Sequence, residues 1–267
     1  RNVILAGQGG AAKYTEDGVT RYIPYHRLFQ RTVQVEVKGY GLFEGYANRD
    51  SLAYRSHYGI DDIPTLKRGT LRKAGYCTAW DALVQLGCTD DTYTMELGPK
   101  NTWREYIDAF LPHDAIRGTR LNLAYHLNLD PQGPVMGRLD WLGLFEDTPI
   151  GIEGRSPAAM LQHLLEDKWK LGPEDKDLVV MWHRFRYSVE GVHQELHASL
   201  AVCGKDSVHT AMAATVGLPI AMATKLVLNG KIPERGVLLP LRPNIYDPVL
   251  DELEKHGIVF NEVEEEM

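Results

Sequence analysis

Cysteine is scarce in this sequence, with three residues in a chain of 267. Cys77, Cys88 and Cys203 lie far apart and form no C-x-x-C pair. Scattered thiols of this number cannot build a disulfide framework, and their spacing does not match a structural zinc site. The scarcity of cysteine therefore indicates a reducing compartment, and we predict a cytoplasmic location.

Basic residues are fewer than acidic residues. The chain has 29 Lys and Arg against 36 Asp and Glu, which gives a formal net charge of −7. A chain with this balance has no overall positive field to attract nucleic-acid phosphates or anionic lipids. We therefore expect neither nucleic acid nor a membrane surface as a partner.

Long uninterrupted apolar runs are also absent. The longest weakly polar stretch, residues 210–228, is interrupted by Gly217, Pro219 and Lys225. A membrane span needs about 20 predominantly apolar residues in one helix, and proline normally breaks or kinks a helix. We therefore predict two buried helices in this stretch, the first capped by Ser207, rather than a membrane-spanning segment.

The motifs of several enzyme classes are missing. The sequence has no P-loop, no nucleophile elbow and no protein-kinase signature. Residues 193–197 place two histidines around Glu195, but zinc proteases need His-Glu-x-x-His on a helix, and this segment alternates like a strand. We therefore predict no metal site and no covalent catalysis by serine or cysteine.

A glycine-rich segment near the start invites a different interpretation. Residues 7–12 follow an apolar run and fit G-x-G-x-x-A, a pattern that binds dinucleotide pyrophosphates, and Glu36 lies where a ribose-binding acid would be. That motif requires a helix directly after the loop, whereas residues 14–18 and Pro24 would interrupt any such helix. We favour a glycine-rich turn between short strands, so no cofactor-binding residue is assigned, and a nucleotide loop is the alternative.

Strand and helix patterns alternate irregularly along the chain. Period-two alternation predicts strands at residues 19–23, 33–37, 178–187 and 192–202, the last two forming a hairpin around Gly191. Helical spacing appears at residues 78–86, 103–111 and 157–171, the last with Ser156 as N-cap. The pattern predicts an α+β fold, with a mixed, largely antiparallel sheet and helices on one face.

The second half of the chain gives three further expectations. Residues 236–239 are typical of a buried strand, residues 258–260 of a last strand, and the Glu-rich tail at 262–267 of a solvated segment. One face of the predicted hairpin is apolar, and an apolar sheet face needs a cover. We therefore predict a homodimer.

Cationic and small residues are concentrated between positions 39 and 76. Arginine forks bind carboxylates in bidentate fashion, and glycine and threonine beside them allow close backbone approach and a hydroxyl hydrogen bond. This segment therefore predicts a site for an anionic small molecule, and its candidate residues are Asn48, Arg49, Arg68, Thr70 and Arg72. The alternative is that these arginines are ordinary surface residues, paired with Asp50, Asp61 or Asp62.

The same segment resembles a known family. Residues 43–51 read F-E-G-Y-A-N-R-D-S and residues 68–72 read R-G-T-L-R. Both resemble blocks of the glutamate-forming saccharopine dehydrogenases, also called saccharopine reductases, with Ala47 in place of a usual Pro and Lys73 in place of a usual Tyr. Further similar blocks follow in the family's order: T-W-R at 102–104, W-L-G-L-F at 141–145, D-L-V-V-M at 177–181 and A-M-A-A-T-V-G-L-P at 211–219.

The resemblance implies an oxidoreductase of lysine metabolism. Such enzymes transfer a hydride between NADP or NAD and the imine of glutamate with 2-aminoadipate semialdehyde, the pair that saccharopine yields. The nucleotide-binding domain normally lies upstream. The resemblance thus implies that residues 1–206 form a saccharopine-binding and dimerisation domain and that residues 207–267 pack on the nucleotide-binding domain. Because the sequence opens with Arg1 on an apolar run, we expect an upstream segment.

The resemblance also ranks the candidate residues. Arg49 and Thr70 match the family's substrate contacts, with Arg68, Arg72 and Asn48 as further candidates, and no proton donor is identified in the chain. Two alternatives stay open. One is a carboxynorspermidine-type dehydrogenase, whose substrate has fewer carboxylates and should need fewer arginines. The other is a non-catalytic dimeric binding module.

Overall fold

The structure is a computed structural model that describes Ile4 and residues 10–266. The chain divides into two compact units. Unit 1 comprises Arg1–Glu36 and Leu42–Lys170, and unit 2 comprises Val37–Gly41 and Leu171–Met267. The predicted division at residues 206 and 207 separates the binding domain from a segment that would pack on a nucleotide-binding domain. That division stays a prediction.

Unit 1 contains two small sheets. Strands β1 (Ala11–Glu16) and β2 (Val19–Pro24) form an antiparallel pair, joined by a turn at Asp17 and Gly18, both of which have positive φ. Strands β3 (Thr32–Val37), β4 (Gly41–Ala47) and β5 (Gly69–Lys73) form the second sheet in that order, and β4 pairs antiparallel with β5. Strand β5 is therefore an edge strand.

The helices of unit 1 supply most of its core. They are α1 (Tyr25–Leu28), α2 (Arg55–Tyr58), α3 (Tyr76–Leu86), α4 (Trp103–Asp108), α5 (Thr119–His126), α6 (Pro134–Leu142) and α7 (Pro157–Lys168). Large side chains from α3 to α7 are fully buried, among them Leu83, Tyr106, Leu123, Leu139 and Leu161. The predicted cap of α7 is confirmed, because the Ser156 hydroxyl accepts a hydrogen bond from the Ala159 amide at 3.3 Å.

Unit 2 is built on the predicted hairpin. Strands β6 (Leu178–Val189) and β7 (Val192–Cys203) pair antiparallel from Leu178↔Cys203 to Val189↔Val192. Helices α8 (Ala211–Leu228) and α9 (Pro243–Glu254) follow, and β8 (Asn261–Glu266) pairs antiparallel with β7. The predicted α+β class with antiparallel pairing is confirmed, with the strands distributed over three separate sheets.

The prediction of two buried helices at residues 210–228 was wrong. Helix α8 is continuous, with Pro219 inside it, and Thr210 rather than Ser207 is its N-cap. Pro219 lacks the amide that would bond to the Thr215 carbonyl and would normally kink or break a helix, yet the helix continues through it to Leu228. Only 17% of the helix is buried, and by length and composition alone it could cross a membrane.

Two predictions for the end of the chain were also wrong. Residues 236–239 form no strand, and Val237 is fully exposed. The last strand is β8 in the Glu-rich tail, instead of residues 258–260; the tail pairs with β7 through its backbone, while its described side chains are exposed, as predicted for a solvated tail. Backbone pairing with a long neighbouring strand such as β7 requires no apolar side chain, so the hydropathy pattern does not reveal it.

Glu252 joins the two helices of unit 2. Its carboxylate accepts hydrogen bonds from Lys225 on α8 at 3.0 Å and from Lys255, just after α9, at 2.8 Å. These two lysines lower the pKa of Glu252 from 4.5 to about 2. The Lys225–Glu252 ion pair joins α8 to α9, which also pack through a small apolar cluster of Leu226, Ile232 and Ile245.

We expect Glu252→Gln to lower the melting temperature by about 1–3 °C at pH 7, since a partly exposed ion pair contributes little. A lowered pKa stabilises the fold above the ordinary pKa, so the difference between variant and parent should shrink as the pH falls from 4.5 toward 2. Thermal unfolding followed by circular dichroism measures this. The exposed neighbour Glu254→Gln is the matched control, and a difference that does not change with pH would contradict the assignment.

A candidate anion-binding site on strands β4 and β5

The pairing of β4 with β5 brings the predicted residues together. In this register Tyr46 lies opposite Thr70 and Glu44 lies opposite Arg72. Because side chains alternate between the faces of a sheet, Thr70 and Arg72 lie on one face of β5 together with Tyr46 and Glu44 of β4. One step beyond the strands, the Asn48 amide donates to the Arg68 carbonyl at 2.9 Å and continues the pairing.

The segment that carries Arg49 is held by its backbone. The Arg49 carbonyl accepts a hydrogen bond from the Lys13 amide of β1 at 2.8 Å, and the Ser51 amide donates to the Lys13 carbonyl at 2.8 Å. The buried Ser51 hydroxyl accepts from the Arg68 amide at 2.9 Å. Arg49 itself has φ of +46°, a left-handed conformation that is uncommon for residues with a side chain. These contacts fix the position from which the exposed Arg49 side chain projects.

Arg68 is positioned by an aromatic ring that the sequence did not single out. Its guanidinium carbon lies 3.8 Å from the centre of the Tyr54 ring, within the range of a cation–π contact. Tyr54 in turn stacks on Tyr58, with ring centres 6.1 Å apart. The exposed Arg68 side chain is therefore held against Tyr54 while its charge has no acidic partner among the described residues.

Arg72 is the most enclosed of the candidate arginines. It is half-buried, and its Nε atom is buried without a hydrogen-bond partner among the described residues. Its guanidinium carbon lies 5.3 Å from the centre of the Tyr76 ring. Burial raises the pKa of Tyr46, while the charge of Arg72 and the hydroxyl of Thr70 oppose that rise. Tyr46 thus shares its sheet face with both Thr70 and Arg72.

A buried carboxylate shapes the corner after β5. Glu44 accepts hydrogen bonds from the amides of Gly75 at 2.9 Å and of Cys77 at 2.8 Å, in the first turn of α3. Gly75 has φ of +87°, and a side chain there would collide with the Arg138 guanidinium. Burial and then the charge of Glu44 raise the pKa of Cys77 to about 12.

The alternative of paired surface arginines does not fit this geometry. Asp50 forms its ion pair with Lys13, at 3.5 Å, and its other oxygen accepts from the Leu52 amide at 2.8 Å. Within residues 10–266, no ion pair joins Arg49, Arg68 or Arg72 to Asp50, Asp61 or Asp62. The candidate site therefore offers cationic and hydroxyl groups that form no ion pair with these three aspartates.

Neither the described part of the glycine-rich segment at residues 7–12 nor the histidines of residues 193–197 belongs to this site. In the glycine-rich segment, Gly7 to Gly9 lie outside the described residues, and Gly10 leads into strand β1 rather than a helix. A pyrophosphate loop needs a helix N-terminus at that point, so the described part of this segment does not fit a dinucleotide. His193 and His197 lie on strand β7, beside Ser188 at 2.8 Å and Glu195 at 2.6 Å.

The fold and the candidate site together are those of an α+β domain suited to bind an anionic small molecule. The chain belongs to the saccharopine dehydrogenase C-terminal domain family, which matches residues 1–258. It is 32% identical over 275 residues to saccharopine dehydrogenase [NADP(+), L-glutamate-forming] of Saccharomyces cerevisiae, covering 98% of this chain and 60% of the relative. It is also 35% identical over 223 residues to the mitochondrial alpha-aminoadipic semialdehyde synthase of Mus musculus, covering 82% of this chain and 24% of that relative.

A solved structure agrees with this membership. The apo saccharopine dehydrogenase (L-Glu forming) from Saccharomyces cerevisiae superposes with a TM-score of 0.85 at 30% sequence identity, over 99% of this chain and 60% of that one. The chain thus spans about 60% of the yeast relative and about a quarter of the mouse relative. The predicted family and the predicted fold class are both confirmed.

The three thiols should differ sharply in reactivity. Burial raises the pKa of Cys88, as well as that of Cys77, to about 12, and both residues are buried, whereas Cys203 is exposed. Since the thiolate is the reactive form, we expect one thiol to react quickly with a disulfide reagent in the native protein and three after unfolding. Cys203→Ser should abolish the fast phase. Rapid labelling of Cys77 in the native protein would contradict the geometry of the β5–α3 corner.

Proposed function

We propose that this chain is the substrate-binding and subunit-association domain of a saccharopine dehydrogenase of lysine metabolism. The complete enzyme would transfer a hydride between NADP or NAD and the imine that glutamate forms with 2-aminoadipate semialdehyde. The observation that carries the proposal is that Arg68 and Arg72, just before and on β5, and Arg49, just after β4, form no ion pair among the described residues. The names of the relatives support saccharopine chemistry over the carboxynorspermidine-type alternative.

The charges of the proposed substrate match the site. Saccharopine carries three carboxylates and a secondary amine, and arginine is the side chain whose planar fork best matches a carboxylate. Arg49 follows β4, and Arg68 and Arg72 lie on either side of Thr70 at β5. These groups are about as many as the three carboxylates of saccharopine. Arg49 and Thr70 are our primary candidates for substrate contacts, followed by Arg72, Arg68 and Asn48.

The cofactor would be held by another part of the enzyme. The described residues after Gly10 do not fit a pyrophosphate loop, and the relatives are longer than this chain. We infer an upstream nucleotide-binding domain, on which residues 207–267 would pack. Support comes from α8, where Met212, Val216, Ile220 and Val227 form an exposed apolar stripe at helical spacing.

The sheet of unit 2 supports the proposed homodimer. On one face of the β6–β7 hairpin Ala198 and Leu200 are buried, whereas Phe185, Val189 and Val192, nearer the turn, are exposed. Apolar side chains on a sheet face are commonly covered in a symmetric association. A second copy of this chain is the occupant we propose.

Location in the cytoplasm is a further part of the proposal. Its support is that Cys77, Cys88 and Cys203 are all free thiols, as a reducing compartment allows. Recovery of the protein from a secreted fraction during cell fractionation would contradict it.

The activity test uses the full-length protein, meaning the complete reading frame that contains this chain. With saccharopine and NADP we expect formation of reduced nicotinamide, read by its absorbance. Arg49→Ala and Arg72→Ala should each lower kcat/KM about 10- to 100-fold, because each removes a charge-assisted hydrogen bond. Arg21→Ala, whose partner is Glu16 on β1, is the matched control and should leave kcat/KM unchanged.

No turnover of saccharopine with NADP or NAD, by a folded protein that binds nucleotide, would contradict the proposed activity. Turnover of carboxynorspermidine under the same conditions would then identify the alternative substrate. No turnover with either substrate would favour a non-catalytic binding module.

Two substitutions of an exposed apolar residue by glutamate test the two proposed interfaces, the dimer interface on the β6–β7 hairpin and the contact of α8 with the nucleotide-binding domain. In the full-length protein, Phe185→Glu should convert a dimeric mass into a monomeric mass by light scattering. Ile220→Glu should keep the dimeric mass and lower the melting temperature by several degrees, because it buries an unpaired charge under the nucleotide-binding domain. If α8 were uncovered, Ile220→Glu would change the melting temperature by about 1 °C or less. A monomeric parent protein would contradict the dimer.

A further inference from the structure

Three buried hydrogen-bond donors at the start of α3 and on the neighbouring strand β5, those of Arg72, Tyr76 and Trp80, have no acceptor among the described residues. The first two of these residues lie together at the corner between β5 and α3. The Arg72 Nε and Tyr76 Oη atoms are both buried, and neither has a hydrogen-bond partner among the described residues. Buried polar groups are almost always hydrogen-bonded in native proteins, and leaving one unpaired is unfavourable. Arginine Nε can only donate and a tyrosine hydroxyl can donate, so the group that satisfies both must be an acceptor.

The Arg72 guanidinium lies over the Tyr76 ring, and that ring is rigidly placed. The Arg72 guanidinium carbon lies 5.3 Å from the centre of the Tyr76 ring. That ring stacks on the indole of Trp80, with centres 5.5 Å apart and planes within 10°, and Trp80 is only 2% exposed. The stack fixes the plane of the tyrosine ring and hence the position of its hydroxyl.

The backbone around Tyr76 is fixed as well. Tyr76 is the first residue of α3, and Glu44 accepts hydrogen bonds from the amides on both sides of it, those of Gly75 and Cys77. Burial raises the pKa of Tyr76, which keeps the phenol protonated at neutral pH and therefore a donor. The adjacent charge of Arg72 opposes the rise.

The charge at this corner selects the kind of acceptor. Arg72 lies over the Tyr76 ring, the Arg138 guanidinium lies against Gly75 just before it, and the other facing groups are the neutral phenols of Tyr46 and Tyr76 and the hydroxyl of Thr70. The Glu44 carboxylate is already occupied by backbone amides. The two guanidinium charges, offset in part by the Glu44 carboxylate, leave one net positive charge, which matches a singly charged carboxylate better than a phosphate dianion.

We propose that the Tyr76 hydroxyl and the Arg72 Nε bind the same carboxylate of the ligand, which makes Tyr76 a specificity-determining residue of the site. The ligand class, a carboxylate, follows from the two donors, whereas its identity as saccharopine rests on the proposed function. An amide or ester in place of that carboxylate would leave one donor with a poorer acceptor. The site therefore discriminates against uncharged analogues.

Binding to the full-length protein, measured by calorimetry with saccharopine and separately with glutarate, tests this. Tyr76→Phe keeps the ring stacked on Trp80 and should weaken saccharopine binding about tenfold, the loss of one hydrogen bond to a charged group. Tyr22→Phe, on an exposed ring of β2, is the matched control and should bind like the parent. Thermal unfolding of both variants should match the parent and shows that they fold.

A double-mutant cycle distinguishes a shared carboxylate from two separate ones. If Tyr76 and Arg72 bind one carboxylate, the double variant Tyr76→Phe with Arg72→Lys should lose less affinity than the product of the two single losses. Losses that multiply fully would overturn the proposal. Parent-like affinity of Tyr76→Phe, or failure of the parent to bind either saccharopine or glutarate, would also overturn it.

These outcomes are separable from those of the proposed function. Tyr76-dependent binding of glutarate without turnover of saccharopine would remove the enzyme assignment and keep the carboxylate site. Turnover of saccharopine with an unchanged KM in Tyr76→Phe would keep the enzyme assignment and remove the role of Tyr76.

Discussion

The buried carboxylate of Glu44 is the interaction on which the candidate site depends. A buried charge is unfavourable unless it is hydrogen-bonded, and here two backbone amides at the start of α3 satisfy it. Because Glu44 also lies opposite Arg72 in the β4–β5 register, it connects the strand that carries the arginine to the helix that carries Tyr76. The turn into α3 has a positive φ at Gly75, a conformation that glycine adopts without strain. The Arg72–Tyr76 corner is thus set before any ligand arrives.

The fold was predictable where periodicity reports burial within the chain. The β6–β7 hairpin and the cap of α7 follow directly from alternation and from Ser156, and both were predicted. Helix α8 was predicted wrongly because an apolar pattern does not distinguish burial within the chain from burial by something outside it. Strand β8 was missed because its pairing with β7 involves the backbone and needs no apolar side chains.

The candidate site was predictable in its charged residues and not in its neutral ones. Arg49, Arg68 and Arg72 stand out in the sequence because cations next to Gly and Thr suggest anion binding. Their ring partners Tyr54 and Tyr76, and the carboxylate of Glu44, become visible only when strand register and the β5–α3 turn are known. Their one sequence signal is proximity, since all lie within residues 44–76, the same segment as the arginines.

The central claim is that the face shared by β4 and β5 binds the carboxylates of saccharopine. The most direct measurement is a crystal structure of the full-length protein with saccharopine bound. The account predicts a ligand carboxylate within hydrogen-bond distance of Arg72 Nε and Tyr76 Oη, and ligand contacts to Arg49 or Thr70. Bound saccharopine whose carboxylates contact none of these residues would contradict it.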